Sequence, residues 1–93
     1  MERPAPPPVF VAALDQGTTS TRCLLLDAGG HVVASESRAL PLSFPQAGWV
    51  EQDAALIARH AREVIDGALA RVGAGPERIA ALGITNQRET VVL

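Results

Sequence analysis

The residues of this 93-residue chain that could do chemistry concentrate in one short run, DQGTTS at positions 15–20. Its Gly17 lets backbone N–H groups approach a ligand closely, and the three hydroxyl residues after it can donate hydrogen bonds to phosphate oxygens. Asp15 can hold a magnesium ion through water, since that ion keeps several waters where it serves phosphates. The run therefore predicts a phosphate-binding turn. A plain hydrophilic hairpin turn that begins at Asp15 is the alternative on composition alone.

Two common phosphate-binding loops do not fit this run. The Walker pattern requires a lysine, and all 8 basic residues of the chain are arginine. The dinucleotide pattern requires three spaced glycines before a helix, whereas Gly17 stands alone in its run. The turn therefore belongs to a different class, in which hydroxyl groups and the backbone provide the donors.

The composition of the chain limits the classes of partner that it is expected to bind. The formal net charge of -2 gives no basic footprint for nucleic acid. No apolar run approaches the roughly 20 residues that a membrane span needs, so we expect neither a nucleic-acid partner nor a membrane span. The single cysteine, Cys23, cannot form an internal disulfide, which fits a cytoplasmic location. Residues 1–8 contain four prolines and predict a disordered tail, which leaves residues 9–93 as one partial domain.

The elements that must position the turn follow from hydrophobic patterning. Residues 9–15, 21–27 and 31–40 predict three consecutive antiparallel strands, with turns at Gly17 and at Gly29-Gly30. Apolar residues from 54 to 72 recur on one helical stripe, with Asp53 as the N-cap and Gly73 as the stop signal. Residues 79–85 (IAALGIT) predict a buried strand. A helix that leads into such a strand implies a parallel neighbour, and hence an α/β sheet.

Several other side chains have simpler structural interpretations. Trp49 suits a core position, and His60 suits a partly buried site on the helix. His31 opens a strand and is expected to be solvated, and Cys23 is expected to be an inert buried thiol. The pair Arg88-Glu89 could be an exposed ion pair of little value, but its place directly after a strand favours a ligand-binding role.

Three stretches in this order resemble the FGGY family of carbohydrate kinases, which includes glycerol kinases and belongs to the actin/hexokinase superfamily. They are ALDQGTTSTR at 13–22, GWVEQD at 48–53 and ITNQRETVV at 84–92. The resemblance implies a partial amino-terminal domain of the ribonuclease H-like/actin-like ATPase fold. It also implies ATP-dependent phosphorylation of a sugar or polyol, with ATP and Mg²⁺ as cofactors. The motif NQRE at 86–89 points within the family to glycerol and to the product sn-glycerol 3-phosphate, whereas pentulose kinases commonly differ there.

The resemblance also implies roles for individual residues. Thr18, Thr19 and Ser20 match residues that contact ATP phosphates, together with Gly17, and Thr18 also matches a contact to the product. Arg22 matches a nucleotide contact, and Asp15 matches the acid associated with the metal. Arg88 and Glu89 match the pair that binds the glycerol hydroxyls. Thr21 stands where a second serine is common, and Ala54 stands where proline is frequent; neither change removes chemistry.

The family's proton acceptor is an aspartate far downstream, and no residue of this chain matches it. The strand-like residues 90–93 also end without a turn. We therefore expect a fragment that has no kinase activity alone and does not fold alone. A pentulose kinase and a non-catalytic ligand-binding relative are the alternatives. A homo-oligomer is left open for the longer protein.

Overall fold

Three antiparallel strands open the computed structural model, which describes residues 8–17, 19–41 and 53–85. They are β1 (Phe10–Gln16), β2 (Ser20–Leu26) and β3 (Val32–Ala39), and each pairs antiparallel with the next. The predicted strands are confirmed, and every predicted boundary lies within one residue of the observed one.

The β2–β3 turn is closed by one carboxylate. Asp27 Oδ1 accepts hydrogen bonds from the backbone N–H groups of Gly29 and His31, each at 2.9 Å. Gly30 has a φ of 82°, a left-handed conformation that glycine adopts without strain. These bonds hold the pKa of Asp27 below its usual range, with the His31 backbone N–H as the largest cause. The His31 side chain is 80% exposed, which confirms that it is solvated.

The predicted helix is α1 (Ala54–Arg71). The Asp53 carboxylate caps it by accepting from the backbone N–H groups two and three residues further on, at 2.9 and 3.2 Å. Gly73, with a φ of 66°, ends the helix in the left-handed conformation common at helix C-termini. Among the described residues, no helix combines the length and the apolar character needed to cross a membrane.

After a short 3₁₀ turn, Pro76–Arg78, the chain enters β4 (Ile79–Thr85). This strand pairs with β1 in parallel, so the sheet order is β3-β2-β1-β4 and α1 is the crossover that links its two edges. The predicted helical crossover to a parallel strand is confirmed.

The core lies between α1 and one face of the sheet. Alternate residues of β1 and β2 point toward the helix, as strand geometry requires. Cys23 is fully buried there, and burial raises the pKa of its thiol, as expected for an inert core cysteine. The buried apolar residues of this core are Phe10, Ala12, Leu14, Cys23, Leu25, Ala34, Val64, Ala68 and Leu69.

The prediction that the strand at 79–85 is buried is wrong for this structure. Ile79 is half-buried, and the other six residues of β4 are exposed. The physical reason is the position of α1, which packs across β2 and β3 and reaches β1 only at its margin. Leu82 and Ile84 are therefore 46% and 61% exposed, although they lie on the helix side of the sheet.

Candidate phosphate and substrate site

The end of β1, the turn that follows it and the end of β4 meet at one edge of the sheet. Because β1 and β4 are parallel, their carboxyl ends lie side by side, and Asp15 is in register with Thr85. Thr85 Oγ1 donates a hydrogen bond to Asp15 Oδ1 at 3.0 Å. The predicted phosphate turn is thereby connected to the strand from which the chain continues into the 86–89 motif.

The backbone of the turn is held by two hydrogen bonds, one within the turn and one from the residue after β3. The Gly17 N–H donates to the Ser20 carbonyl at 2.9 Å, and the Leu40 N–H donates to the Thr19 carbonyl at 2.8 Å. A Cβ added to Gly17 would lie 3.3 Å from the Ser20 carbonyl oxygen, closer than most Cβ contacts. Glycine is therefore favoured here because two backbone segments approach each other.

The hydroxyl groups of the turn differ in exposure. Thr19 is exposed and Ser20 is half-buried. Within the described ranges, neither hydroxyl group has a hydrogen-bond partner, so both can still donate to a ligand. Thr18 lies outside the described residues.

The charged residues of the site share the face of the sheet opposite α1. Asp15 and Arg22 are in register on adjacent strands, and both are exposed. No ion pair joins them in the part of the chain that the structure describes. A carboxylate and a guanidinium thus stand side by side on an open surface beside the turn, each able to bind an external group.

Magnesium is the metal that the resemblance implies, and the residues present fit it. Magnesium prefers oxygen ligands and is commonly bound through one or two carboxylates together with substrate phosphates. Asp15 supplies one exposed carboxylate, whose Oδ1 already accepts from Thr85. Across residues 8–17, 19–41 and 53–85, no cluster of three or more metal-ligating side chains occurs, so binding through water and phosphate suits this edge better than an all-protein cage.

The structure brings part of the predicted site together. Asp15, Gly17, Thr19, Ser20 and Arg22 lie at one end of the β1–β2 hairpin. Three predicted site residues lie outside the described residues: Thr18, Arg88 and Glu89.

One polar contact of the site was missed from sequence. Thr85 was predicted only as the last residue of a strand, although its hydroxyl contacts the candidate metal-associated carboxylate. The usable signal was its position, because polar side chains at the carboxyl ends of adjacent parallel strands meet at one edge. His60 is half-buried on α1, as predicted, and Trp49 lies outside the described residues.

Comparison with known proteins places the chain in an enzyme family. Residues 10–93 match the model of the FGGY family of carbohydrate kinases, N-terminal domain. The chain is 51% identical over 84 residues to glycerol kinase 2 of Streptomyces avermitilis and 52% identical over 84 residues to the glycerol kinase of a Roseiflexus species. Each alignment covers 90% of this chain and 17% of the relative. The chain therefore spans about a sixth of the length of these curated relatives.

Solved structures agree in fold. The gluconate kinase of Lactobacillus acidophilus superposes with a TM-score of 0.77 at 33% identity, covering 87% of this chain and 16% of that one. The xylulose kinase of the same organism superposes with a TM-score of 0.74 at 35% identity, covering 84% of this chain and 15% of that one. The ADP-bound glycerol kinase of Plasmodium falciparum superposes with a TM-score of 0.75 at 24% identity, covering 89% of this chain and 17% of that one. At this identity the likeness shows the fold alone.

These neighbours confirm a partial α/β domain of the actin-like ATPase fold. The chain belongs to the FGGY family of carbohydrate kinases, with residues 10–93 matching that family's amino-terminal domain.

Proposed function

We propose that the complete protein carrying this chain transfers the γ-phosphoryl group of MgATP to a terminal hydroxyl of glycerol, giving sn-glycerol 3-phosphate. The observation that carries the proposal is the hydrogen bond from Thr85 to Asp15, because it joins the phosphate turn to the strand that leads into the 86–89 motif. Identities of 51% and 52% to glycerol kinases favour glycerol over other acceptors.

Phosphoryl transfer depends mainly on positioning the phosphates and neutralising their charge. The turn suits the first need, since the hydroxyl groups of Thr19 and Ser20 can donate to phosphate oxygens beside the close backbone approach at Gly17. Arg22 suits the second, since a guanidinium is always charged and matches phosphate geometry. We assign these residues, with Thr18, to the nucleotide phosphates.

Magnesium, when bound, would neutralise charge that develops on the transferred group. In this proposal Asp15 holds a water of the ion, and the Thr85 hydroxyl fixes the orientation of that carboxylate.

The acceptor pocket is assigned to Arg88 and Glu89, three and four residues after Thr85 in the sequence. Glycerol presents only hydroxyl groups, each a donor and an acceptor. A donor-only guanidinium beside an acceptor-only carboxylate can satisfy both needs. We further propose that the protein is cytoplasmic, which the single free Cys23 fits, and that the proton-accepting residue lies outside this chain.

The test is steady-state kinetics of the purified complete protein with glycerol, xylulose and gluconate as acceptors. We expect kcat/KM for glycerol to exceed the other two by about 100-fold or more, because a site built to bind particular hydroxyl groups discriminates strongly. Equal turnover of xylulose would indicate a pentulose kinase. Nucleotide binding without turnover of any acceptor would indicate a non-catalytic relative.

A pair of variants tests the acceptor assignment. Glu89→Gln should raise KM for glycerol about tenfold or more while KM for MgATP changes little. Glu77→Gln is the matched control, because Glu77 is exposed in the 3₁₀ turn at the opposite end of β4. An equal effect of both variants would count against the assignment.

A further inference from the structure

Thr21 is the only polar residue that is fully buried among the residues the structure describes. It lies on the helix side of β2, directly opposite Gln16 in the β1–β2 register. Its neighbours on the same face are apolar, among them Leu14 and Cys23. A hydroxyl in such a place needs a hydrogen-bond partner, because burying it unpaired is costly.

The partner of Thr21 is the side chain of Gln16. Thr21 Oγ1 donates to Gln16 Oε1 at 2.8 Å, and Gln16 Nε2 in turn donates to the Gly17 carbonyl at 3.3 Å. The orientation of the amide is determined by chemistry: a carbonyl can only accept, so the NH₂ group must face Gly17. The oxygen of the amide then faces the buried hydroxyl.

This chain of contacts completes a pattern in the phosphate turn. The carbonyls of Gly17, Thr19 and Ser20 all accept hydrogen bonds from within the protein. Their donors are Gln16 Nε2, the Leu40 N–H and the Gly17 N–H, respectively. A carbonyl oxygen aimed at a phosphate would repel it, whereas carbonyls engaged in this way leave the hydroxyl groups of Thr19 and Ser20 to face the anion.

The three carbonyls are not secured equally. Those of Thr19 and Ser20 accept from backbone N–H groups, namely that of Leu40, directly after β3, and that of Gly17, directly after β1. The Gly17 carbonyl depends on a side chain, and that side chain is oriented by the Thr21 hydroxyl. Loss of the hydroxyl would free the amide to rotate and would release the Gly17 peptide.

We propose that Thr21 and Gln16 are positioning residues that keep the Gly17 carbonyl turned into the protein, so that this carbonyl does not face the nucleotide phosphates. The proposal rests on the proposed kinase function. Neither side chain touches the nucleotide in this assignment. Both act through the orientation of one peptide group.

The test uses the complete protein with three variants. Thr21→Val keeps the size and branching of the side chain but removes the hydroxyl, Thr21→Ser retains the hydroxyl, and Gln16→Leu removes the amide. Leu25→Val is the control for a general core defect, because Leu25 is fully buried on the same face of β2 and has no part in the polar contacts.

We expect Thr21→Val and Gln16→Leu to raise KM for MgATP about tenfold while KM for glycerol stays within about twofold. Thr21→Ser should restore most of the affinity for MgATP. Leu25→Val should leave both KM values near those of the wild type. Unchanged KM for MgATP in Thr21→Val, absence of rescue by serine, or the same increase in Leu25→Val would each overturn the proposal.

A second measurement separates this proposal from the proposed function. Hydrogen–deuterium exchange of the Gly17 amide, which donates to Ser20, reports the order of the turn without any catalysis. We expect Thr21→Val to speed this exchange about tenfold or more and Leu25→Val to leave it unchanged. If the wild type lacks kinase activity, the kinase function fails, and the exchange rates still decide the positioning role. Equal rates in the wild type and Thr21→Val would refute it.

Discussion

At the scale of single residues, Asp15 has two connections that together define the site. It is the penultimate residue of β1, one step before Gln16 and two before Gly17, so its carboxylate stands beside the phosphate turn. It also accepts the hydrogen bond from Thr85 across the parallel register. The same carboxylate can thus contact a hydrated cation beside the phosphates while it remains hydrogen-bonded to the end of β4.

Replacing Asp15 by Asn should lower kcat of the complete protein about 100-fold and raise the Mg²⁺ concentration needed for half-maximal rate. The amide oxygen of asparagine still accepts from Thr85, so the strand pairing is preserved while the negative charge is lost. The measurement is the rate as a function of Mg²⁺ concentration. Asp27→Asn is the control, since Asp27 lies at the other end of β2 and its turn contacts suit an amide oxygen equally well. A normal Mg²⁺ dependence in Asp15→Asn would contradict the metal assignment.

Gly17→Ala should raise KM for MgATP about tenfold, because the new methyl group meets the Ser20 carbonyl oxygen and pushes the turn apart. Gly29→Ala provides a comparison in the other hairpin. There the added Cβ would lie 3.0 Å from the imidazole of His31, which is exposed and can move away, and 3.4 Å from Asp27 Oδ1, an ordinary van der Waals contact. The kinetic constants of the two variants decide the matter: if both bind MgATP as the wild type does, the close backbone approach has no role in binding.

At the scale of elements, one carboxylate ties β3 to α1. Glu36 pairs with Arg38 at 2.9 Å and also with Arg71, which is in the last turn of the helix. Arg38 in turn lies 3.4 Å from Glu63. The helix makes room for this carboxylate at Gly67, where an added Cβ would lie 2.9 Å from Glu36 Cγ. A glycine in mid-helix is thus explained by the side chain that packs against it.

This arrangement predicts that the effect of Gly67→Ala on the stability of the protein has opposite signs with and without the Glu36 side chain. Alanine favours a helix interior over glycine by about 1 kcal/mol, but at Gly67 its methyl group would collide with a carboxylate held by two arginines. Gly67→Ala should therefore destabilise the wild-type protein and stabilise a Glu36→Ala background. Thermal unfolding midpoints of the four versions of the complete protein provide the measurement. The same shift in both backgrounds would show that Glu36 does not explain the glycine.

The same carboxylate gives a pH dependence. The Arg38 guanidinium, followed by that of Arg71, holds the pKa of Glu36 below its usual range. Because the pKa is lower in the folded than in the unfolded chain, the ionised carboxylate stabilises the folded state at any pH above the unfolded pKa of about 4.3. This stabilisation is lost as the pH falls from about 4.3 through the pKa of the folded state. The difference in unfolding midpoint between the complete wild-type protein and its Glu36→Gln variant should therefore be constant at neutral pH and shrink below about pH 4.3. Glu77→Gln serves as the control. A difference in unfolding midpoint that grows on acidification would contradict a lowered pKa of Glu36.

The elements that follow from local signals were predictable from sequence, whereas contacts between distant segments were not. Asp53 and Gly73 mark the ends of α1 within a few residues of the helix itself, and the structure confirms both. The bond between Asp15 and Thr85 joins residues 70 positions apart and depends on strand register, which periodicity does not specify. The exposure of β4 depends on which strands α1 covers, a property of packing that no local pattern contains.

At the scale of the whole molecule, the helix side of the sheet is covered over only part of its width. A helix with its side chains is about 10 Å wide, close to the span of two strands, and α1 lies over β2 and β3. Beside it a groove of about 580 Å³, lined in part by Leu14, Ile65 and Leu82, lies open over β1 and β4. The edge strand β4 carries no charged residue that would oppose pairing with another chain.

The 93-residue chain by itself should therefore lack a cooperative unfolding transition and should associate. A domain of this size buries only about 60–65% of its unfolded surface even when complete, and here Leu82 and Ile84 on the edge strand face solvent. The fluorescence of a hydrophobic dye and sedimentation velocity of the purified chain measure both properties. Replacing Leu82 and Ile84 together by threonine places a β-branched residue, which favours a strand, at both positions and reduces the exposed apolar surface, so dye binding and association should both fall. The isolated chain should also show no glycerol phosphorylation, because it spans only 17% of the length of the glycerol kinases that it matches. A monomer with a single sharp thermal transition would mean that this sheet is stable with one of its faces half covered.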